Sequence, residues 1–192
     1  MGREFELKFS ATPEKLAAIR QEWENWTGIS METTYFDTPE SALSAQKCTL
    51  RQRMENGKSV CTLKTPVAGL GRGEWEEQAE WSKESVTKLF AAAGREMISF
   101  EELAPVCGAR FTRLAKMVEL SDCTVEIALD KGVLLGGGKE IPLFELEVEL
   151  KKGTEESAIK WANHFAAQYG LSTETESKFC RASALAKGEQ HE

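Results

Sequence analysis

REFELKFS, residues 3–10, sets Glu4, Glu6 and Lys8 in alternation with Phe5, Leu7 and Phe9. Successive side chains of a strand point to opposite faces, so as a strand this stretch has one ionic face and one apolar face. Which of the two is buried decides the architecture. The same alternation returns along the chain. In 48–55, Thr49, Arg51, Arg53 and Glu55 oppose Cys48, Leu50, Gln52 and Met54, and in 73–81, Glu74, Glu76, Gln78 and Glu80 oppose Trp75, Glu77, Ala79 and Trp81. In 125–130, Glu126 and Asp130 oppose Val125, Ile127 and Leu129; in 144–150, Glu145, Glu147 and Glu149 oppose Phe144, Leu146, Val148 and Leu150. With weaker patterns at 31–37, 58–65 and 111–119, the periodicity predicts about eight strands, the number that closes a small barrel round one ligand.

Three segments carry helix punctuation instead. Residues 13–26 follow Thr12 as N-cap with Pro13 at the first helical position, 83–93 follow Ser82 and stop at Gly94, and 155–169 follow Thr154 and stop at Gly170. A shorter helix is expected near 98–104 and another over 177–186. Helices remove hydrophobic area from water by lying on apolar strand faces. The ionic faces are then left to line an enclosed interior. The expected fold is α+β, an eight-stranded antiparallel β-barrel with a polar, charged inside and helices packed outside. The competing architecture is a sandwich with one solvated face. Solvated faces mix their charges across neighbouring strands, whereas here Arg51, Arg53, Lys64 and Arg113 fall on some strands and Glu4, Glu6, Glu74, Glu76, Glu126, Asp130, Glu145 and Glu147 on others.

The 192 residues suit one domain, expected over 1–187 with a tail at 188–192. A balance of 24 Lys and Arg to 31 Asp and Glu, net −7, argues against a general nucleic-acid or anionic-membrane surface and leaves room for a local basic site. No apolar run approaches the roughly 20 residues of a spanning helix, and Arg3, Glu4 and Glu6 stand where a signal peptide needs its apolar centre, so a cytoplasmic location is expected. The 5 cysteines show no CxxC spacing and only 2 histidines accompany them, which points to neither a disulfide framework nor a zinc site.

Carboxylates gathered in a low-dielectric interior repel one another unless cations sit among them. Mg²⁺ or Mn²⁺ relieves that cost, since each prefers oxygen ligands and lets substrate phosphates complete its shell. Guanidinium forks match phosphate oxygens in pairs and ammonium supplies point charges. Acids, metal and bases in one enclosure describe a site for a triphosphate.

Glu4-x-Glu6-x-Lys8 resembles the ExExK signature of the CYTH superfamily, the triphosphate tunnel metalloenzymes. Further matches follow in the family's order: Tyr35-Phe36-Asp37-Thr38-Pro39, Leu50-Arg51-Gln52-Arg53, Thr62-Leu63-Lys64, the Glu74 and Glu76 pair, Arg113, EIALDKG from Glu126, ELEVEL from Glu145, and Ser177-Lys178. The resemblance implies a tunnel that binds a triphosphate and one or two Mg²⁺ or Mn²⁺ ions. It implies metal ligation by Glu4, Glu6 and Glu147 with Asp130 and Glu145 close by. It also implies a phosphate grip by Lys8, Arg51, Arg53, Lys64, Arg113 and Lys178, with Glu4, Glu6, Lys8 and Lys64 as the catalytic set. Glu74, Glu76 and Glu126 are left to a second metal, to positioning water or to orienting the bases. Glu145, Glu147 and Glu149 share a face, so the register of that strand stays open.

The activity implied is metal-dependent hydrolysis of inorganic triphosphate to diphosphate and phosphate. Within the family the alternatives are a class IV-type adenylate cyclase, a thiamine or nucleoside triphosphatase, or a non-catalytic polyphosphate- or nucleotide-binding module. No nucleic acid or membrane partner is expected, a homodimer is left open, and no CHAD-type helical domain follows within these residues. GLGRG at 69–73 reads as a loop at the tunnel mouth, because no helix follows it. His164 reads as a packing or surface residue, and Lys151 and Lys152 as solvated strand ends. Arg181 stands one helical turn beyond Lys178 and reaches either the same ligand or solvent. Arg110 competes with Arg113 for the inward position, since residues three apart cannot share a strand face.

Overall fold

The computed structural model describes residues 2–188. Its strands are β1 (Gly2–Glu4), β2 (Glu6–Ser10), β3 (Thr27–Asp37), β4 (Thr49–Glu55), β5 (Lys58–Pro66), β6 (Arg72–Glu77), β7 (Ala104–Glu119), β8 (Cys123–Gly136), β9 (Lys139–Gly153) and β10 (Ser172–Thr173). The helices are α1 (Pro13–Arg20), α2 (Ala42–Ala45), α3 (Lys83–Ala92), α4 (Glu155–Gln168) and α5 (Lys178–Lys187). Residues 98–104 hold only a short 3-10 turn, Phe100–Glu102. Of the expected tail, Gly188 caps α5 with φ 77° and the remainder, 189–192, lies outside the described residues.

The opening stretch is split at Phe5, and the split is what closes the sheet. Neighbouring strands run β1-β6-β5-β4-β3-β7-β8-β9-β2-β10, antiparallel throughout. β1 pairs with β6 (Gly2 opposite Glu74) and β2 with β9 (Lys8 opposite Glu147), while the Phe5 carbonyl accepts from the Leu150 N–H at 2.9 Å. Residues 2–10 therefore join both ends of the order. With β1 and β2 counted as one strand and the two-residue β10 set aside, the ten runs make eight strands round a barrel.

Outside the ring the apolar faces meet helices as the alternation predicts. Phe5 and Phe9 pack with Leu16 and Ile19 of α1 and with Ala158, Ala162 and Phe165 of α4. Leu50 and Leu63, fully buried, lie beneath Val86, Leu89 and Phe90 of α3. Each such aliphatic side chain contributes about 1.5–3 kcal/mol on leaving water. None of the described helices is long and apolar enough to cross a membrane.

The helix starts are where the caps put them. Thr12, Ser82, Thr154 and Ser177 each accept a backbone N–H from three residues on. α1 ends at Arg20 rather than 26, because the Trp26 indole N–H donates to the carbonyls of Arg20 at 3.0 Å and Trp23 at 2.8 Å and terminates the helix there. β6 likewise stops at Glu77 instead of 81, where the chain turns into the Ser82–Ser85 capping box of α3.

One helix departs from the expected outside position. α5 packs on the faces of β7 and β8 that also carry Arg113 and Asp130, over an apolar layer of Met31, Ala109, Phe111, Leu134 and Leu143 that meets Ala182. Register places Phe111 two residues from Arg113 and Leu134 four from Asp130 on the same faces, so this layer belongs to the inside. A Cβ at Gly136 would stand 2.4 Å from the Ala182 carbonyl oxygen, and glycine there lets α5 approach the strand. The interior is thus charged along most of its length and apolar where α5 closes it.

Candidate active site

The inward faces of the eight strands surround a cavity of about 330 Å³. Glu4, Glu6 and Lys8 reach it from residues 2–10, Arg51, Arg53 and Lys64 from β4 and β5, and Glu74 and Glu76 from β6. Arg113, Glu126 and Glu147 arrive from β7, β8 and β9, and Lys178 from the first turn of α5. Asp130, Glu145 and Arg181 are not on the cavity wall; they stand one layer behind it and connect through Lys178 and Arg113. Arg110 points away, paired with Glu140 at 3.0 Å on the exposed surface, which settles the inward position for Arg113.

Asp130, Glu145 and Glu147 are buried and bring carboxylate oxygens within 4.8 Å of one another. Three cations meet them. The Lys178 ammonium donates to Glu145, to Glu147 at 2.6 Å and lies 2.8 Å from Asp130, so each of its three protons faces a carboxylate. Arg113 grips Asp130 through Nε at 2.8 Å and Nη2 at 2.7 Å and also donates to Glu147, and Arg181 donates to Glu145. Both Arg113 and Lys178 also lie over the Phe111 ring, at 5.8 and 5.4 Å. Burial opposes charge on Arg113, but Glu147 and Asp130 outweigh it and hold the guanidinium well above its ordinary value. For Lys178 burial likewise opposes charge, and Asp130 with Glu147 and Glu145 drives its pKa up. Burial pushes Glu147 up, and Arg113 with Lys178 pulls it well below the carboxylate range. This is a neutralised network of three acids and three bases.

Glu6 stands in different company. Burial, then the nearby Glu147 charge, lifts its pKa to about 7, with Glu4 adding to the rise and Lys64 and Lys8 opposing it. Lys8 is 3.6 Å away, while Lys64 is bonded to Glu4 and lies 3.3 Å from Glu74. Hard oxygen donors with uncompensated negative charge fit a divalent cation. Glu4, Glu6 and Glu147 all line the cavity and would hold it. Asp130 and Glu145, expected beside the metal, are ion-paired with Lys178, Arg113 and Arg181, and with Glu147 they form a group of carboxylates close enough to share one ion.

The opposite wall is basic. Arg51 is half-buried and faces Glu74 at 3.6 Å and Glu76 at 4.0 Å, and its buried Nε has no hydrogen-bond partner among the described residues. Arg53 is held by Glu55 at 2.5 Å. Glu76 accepts from the Thr62 hydroxyl at 3.2 Å. Glu74 thus pairs with Arg51 and Lys64, and Glu76 faces Arg51.

Two elements of the sequence reading take a different meaning. Lys151 is exposed, as read, and also ion-paired: β9 continues to Gly153, which keeps Lys151 on the face of Glu149, and its ammonium lies 2.8 Å from Glu149 and 3.6 Å from Glu126 at one mouth of the cavity. Arg72, read as part of a glycine loop, opens β6 and lines the cavity. The Asp37 of YFDTP serves the backbone, accepting N–H groups from Thr38, Leu43 and Ser44 at 2.8–3.0 Å and the Ser44 hydroxyl at 2.6 Å, which fixes α2 beside the barrel.

Residues 2–182 match the CYTH domain. A curated inorganic triphosphatase of Haemophilus influenzae is 31% identical over 166 residues, covering 80% of this chain and 46% of its own length. The chain thus spans about half of that relative. Among solved structures, HpAC1 from Hippeastrum, described as an adenylyl cyclase with a dominant triphosphatase activity, superposes with a TM-score of 0.69 at 19% identity over 98% of this chain and 97% of its own. PH1819 from Pyrococcus horikoshii OT3 follows with a TM-score of 0.64 at 20% identity over 93% and 97%. A Bacillus halodurans protein named as an adenylate cyclase gives 0.58 at 19% identity over 94% and 98%. At these identities the likeness of the structures is one of fold.

Proposed function

We propose, from the premise that this chain belongs to the CYTH family, that it hydrolyses inorganic triphosphate to diphosphate and phosphate inside the barrel. The observation that carries this reading is the Arg51 Nε, a buried donor with no partner among the described residues, facing a cavity it shares with Arg53 and Lys64. A guanidinium N–H left unbonded where it is buried is costly, and a phosphate oxygen satisfies it. The 31% identical triphosphatase supports the same substrate.

The chemistry follows from the placement of charge. Arg51, Arg53 and Lys64 bind the equatorial oxygens of the phosphoryl group and stabilise the charge that develops on them, and Lys8 approaches from the carboxylate side. A Mg²⁺ or Mn²⁺ ion held by Glu4, Glu6 and Glu147 would supply Lewis-acid polarisation and neutralise substrate charge. Water adds to the terminal phosphorus as the bond to the bridging oxygen breaks, and diphosphate leaves with that oxygen. Glu74 and Glu76 keep the basic wall aligned. Arg113 and Lys178 fix the position of Glu147, so their part in this scheme is to place a carboxylate rather than to grip phosphate.

All five cysteines are free, which supports a reducing compartment and with it a cytoplasmic location. Phosphate release from triphosphate, ATP and thiamine triphosphate, with Mg²⁺ and then Mn²⁺, tests the assignment. Inorganic triphosphate is expected to be cleaved with the highest kcat/KM. Cyclic AMP as the sole product from ATP, with triphosphate untouched, would replace the hydrolase by a cyclase, and tight binding without turnover would make it a binder.

A further inference from the structure

Phe111 stands where the two layers of the interior meet. It belongs to the apolar layer beneath α5, and it also lines the cavity. Two cations address its one ring: the Arg113 guanidinium carbon lies 5.8 Å from the centroid and the Lys178 ammonium 5.4 Å. Arg113 is two residues along the same strand face, whereas Lys178 comes from the first turn of α5, so strand and helix converge on the ring. An aromatic face attracts a cation through its quadrupole, most where water is excluded, and Phe111 is only 5% exposed. Across the ladder stands Gly132, the last residue of EIALDKG, which no role given so far explains. A Cβ there would lie 2.5 Å from the Phe111 Cα and 2.6 Å from its Cβ, so a side chain at 132 would push Phe111 out of place. Both cations line the cavity, yet two of the carboxylates that hold them, Asp130 and Glu145, stand behind its wall. Of the three acids in that network, Glu147 alone is on the wall.

We propose that Phe111 is a positioning residue for the divalent cation: its ring holds Arg113 and Lys178 back against Asp130 and Glu145, so that Glu147 is fixed on the cavity wall and neither positive charge leans toward the ion. The inference rests on the triphosphatase reading and adds a residue to its metal site. Without the ring, two long side chains that already border the cavity are free to swing into it, where their charge opposes a metal ion and Glu147 loses its fixed place. Gly132 serves the same end, since it lets the strand that carries Phe111 come close enough to set the ring beneath both cations.

The test is calorimetric titration with Mn²⁺ alone, followed by tripolyphosphate turnover, on the wild type, on Phe111→Leu, on Leu134→Val and on protein carrying mono-, di- and trifluorinated phenylalanine at position 111. Fluorine drains the negative face of the ring and leaves its shape nearly unchanged, so this series separates charge from packing even where the leucine variant folds poorly. Phe111→Leu is expected to bind Mn²⁺ about tenfold more weakly, with KM for tripolyphosphate at saturating Mn²⁺ within about twofold of the wild type. The fluorinated proteins are expected to weaken stepwise toward it. Leu134→Val, which loosens the same apolar layer without altering a ring, is expected to keep the wild-type Mn²⁺ affinity. A flat fluorinated series overturns the proposal, as does a wild type that binds no Mn²⁺ or a Leu134→Val protein as weak as Phe111→Leu. Absence of triphosphate turnover with the stepwise series intact would instead overturn the hydrolase reading and leave the role of Phe111 standing.

Discussion

Two groups of carboxylates share one barrel and are treated in opposite ways. Asp130, Glu145 and Glu147 are met by Arg113, Lys178 and Arg181, acid for base, although burial still holds the Glu145 carboxyl above its ordinary value. Glu6 has Lys8 and Glu4 has Lys64, which Glu74 also draws on, and the burial of Glu6 beside Glu147 raises its pKa to about 7. The difference teaches that a dense acidic cluster in such a tunnel is not by itself the metal site. On the proposed function, the group with tethered counter-ions holds the wall and Glu4 and Glu6 are the ligands that an ion would add to it.

The contrast breaks most severely at the short side. Glu4→Gln with Glu6→Gln should lower triphosphate turnover by about 10³-fold or more while the melting temperature without metal stays level or rises, since like charges are removed. A folded, fully active double variant would end the assignment. On the paired side the expected loss is in stability rather than rate: Arg113→Met leaves Asp130 and Glu147 short of their strongest partner and should cost about 3 kcal/mol in urea unfolding. An unchanged midpoint would mean that the network is loose.

Metal sharpens the comparison further. Mn²⁺ at a hundred times its dissociation constant should stabilise the wild type by about 2.7 kcal/mol. That gain should vanish in the Glu4→Gln/Glu6→Gln protein and persist in Arg181→Met; thermal shift against Mn²⁺ concentration decides it. The smallest effect is a pH slope. Glu6 titrates near 7 in the folded chain and near 4.5 when unfolded, so the folded state binds more protons between those values and stability falls as pH rises from 4.5 to 7, then levels. The drop should be about 3 kcal/mol without divalent metal. Glu6→Gln should flatten it, and a slope that survives in that variant would assign it to another group.

Much of this architecture was legible because period-two alternation is a local signal. The parity of Glu4, Glu6 and Lys8, of Arg51 and Arg53, and of Glu145 and Glu147 reports the inward face without knowledge of any partner strand. What parity cannot report is depth. Phe111 and Arg113 share a face, yet one lies in the apolar layer beneath α5 and the other among carboxylates. Depth depends on the stagger of the strands, which pairing fixes and composition does not. The same limit hid Lys151, whose role turned on β9 running three residues past its last apolar position. It also left Arg110 and Arg113 undecided, since only the pairing of Arg113 with Asp130 selects between them. α5 was legible as a helix and not as an inner one, because Lys178 and Arg181 show their spacing in the sequence but not the carboxylates they were to meet.

The interruption at Phe5 carries a consequence for assembly. Residues 2–10 act as the clasp of the ring: Lys8 aligns with Glu147, and Phe9 with Thr173. This segment must then wait, unclasped, until β9, more than a hundred residues on, has been made. Such distant partners make closure a late and slow event, and any mutation that delays it prolongs the time in which β6 and β9 stand as open edges, available to a neighbouring molecule.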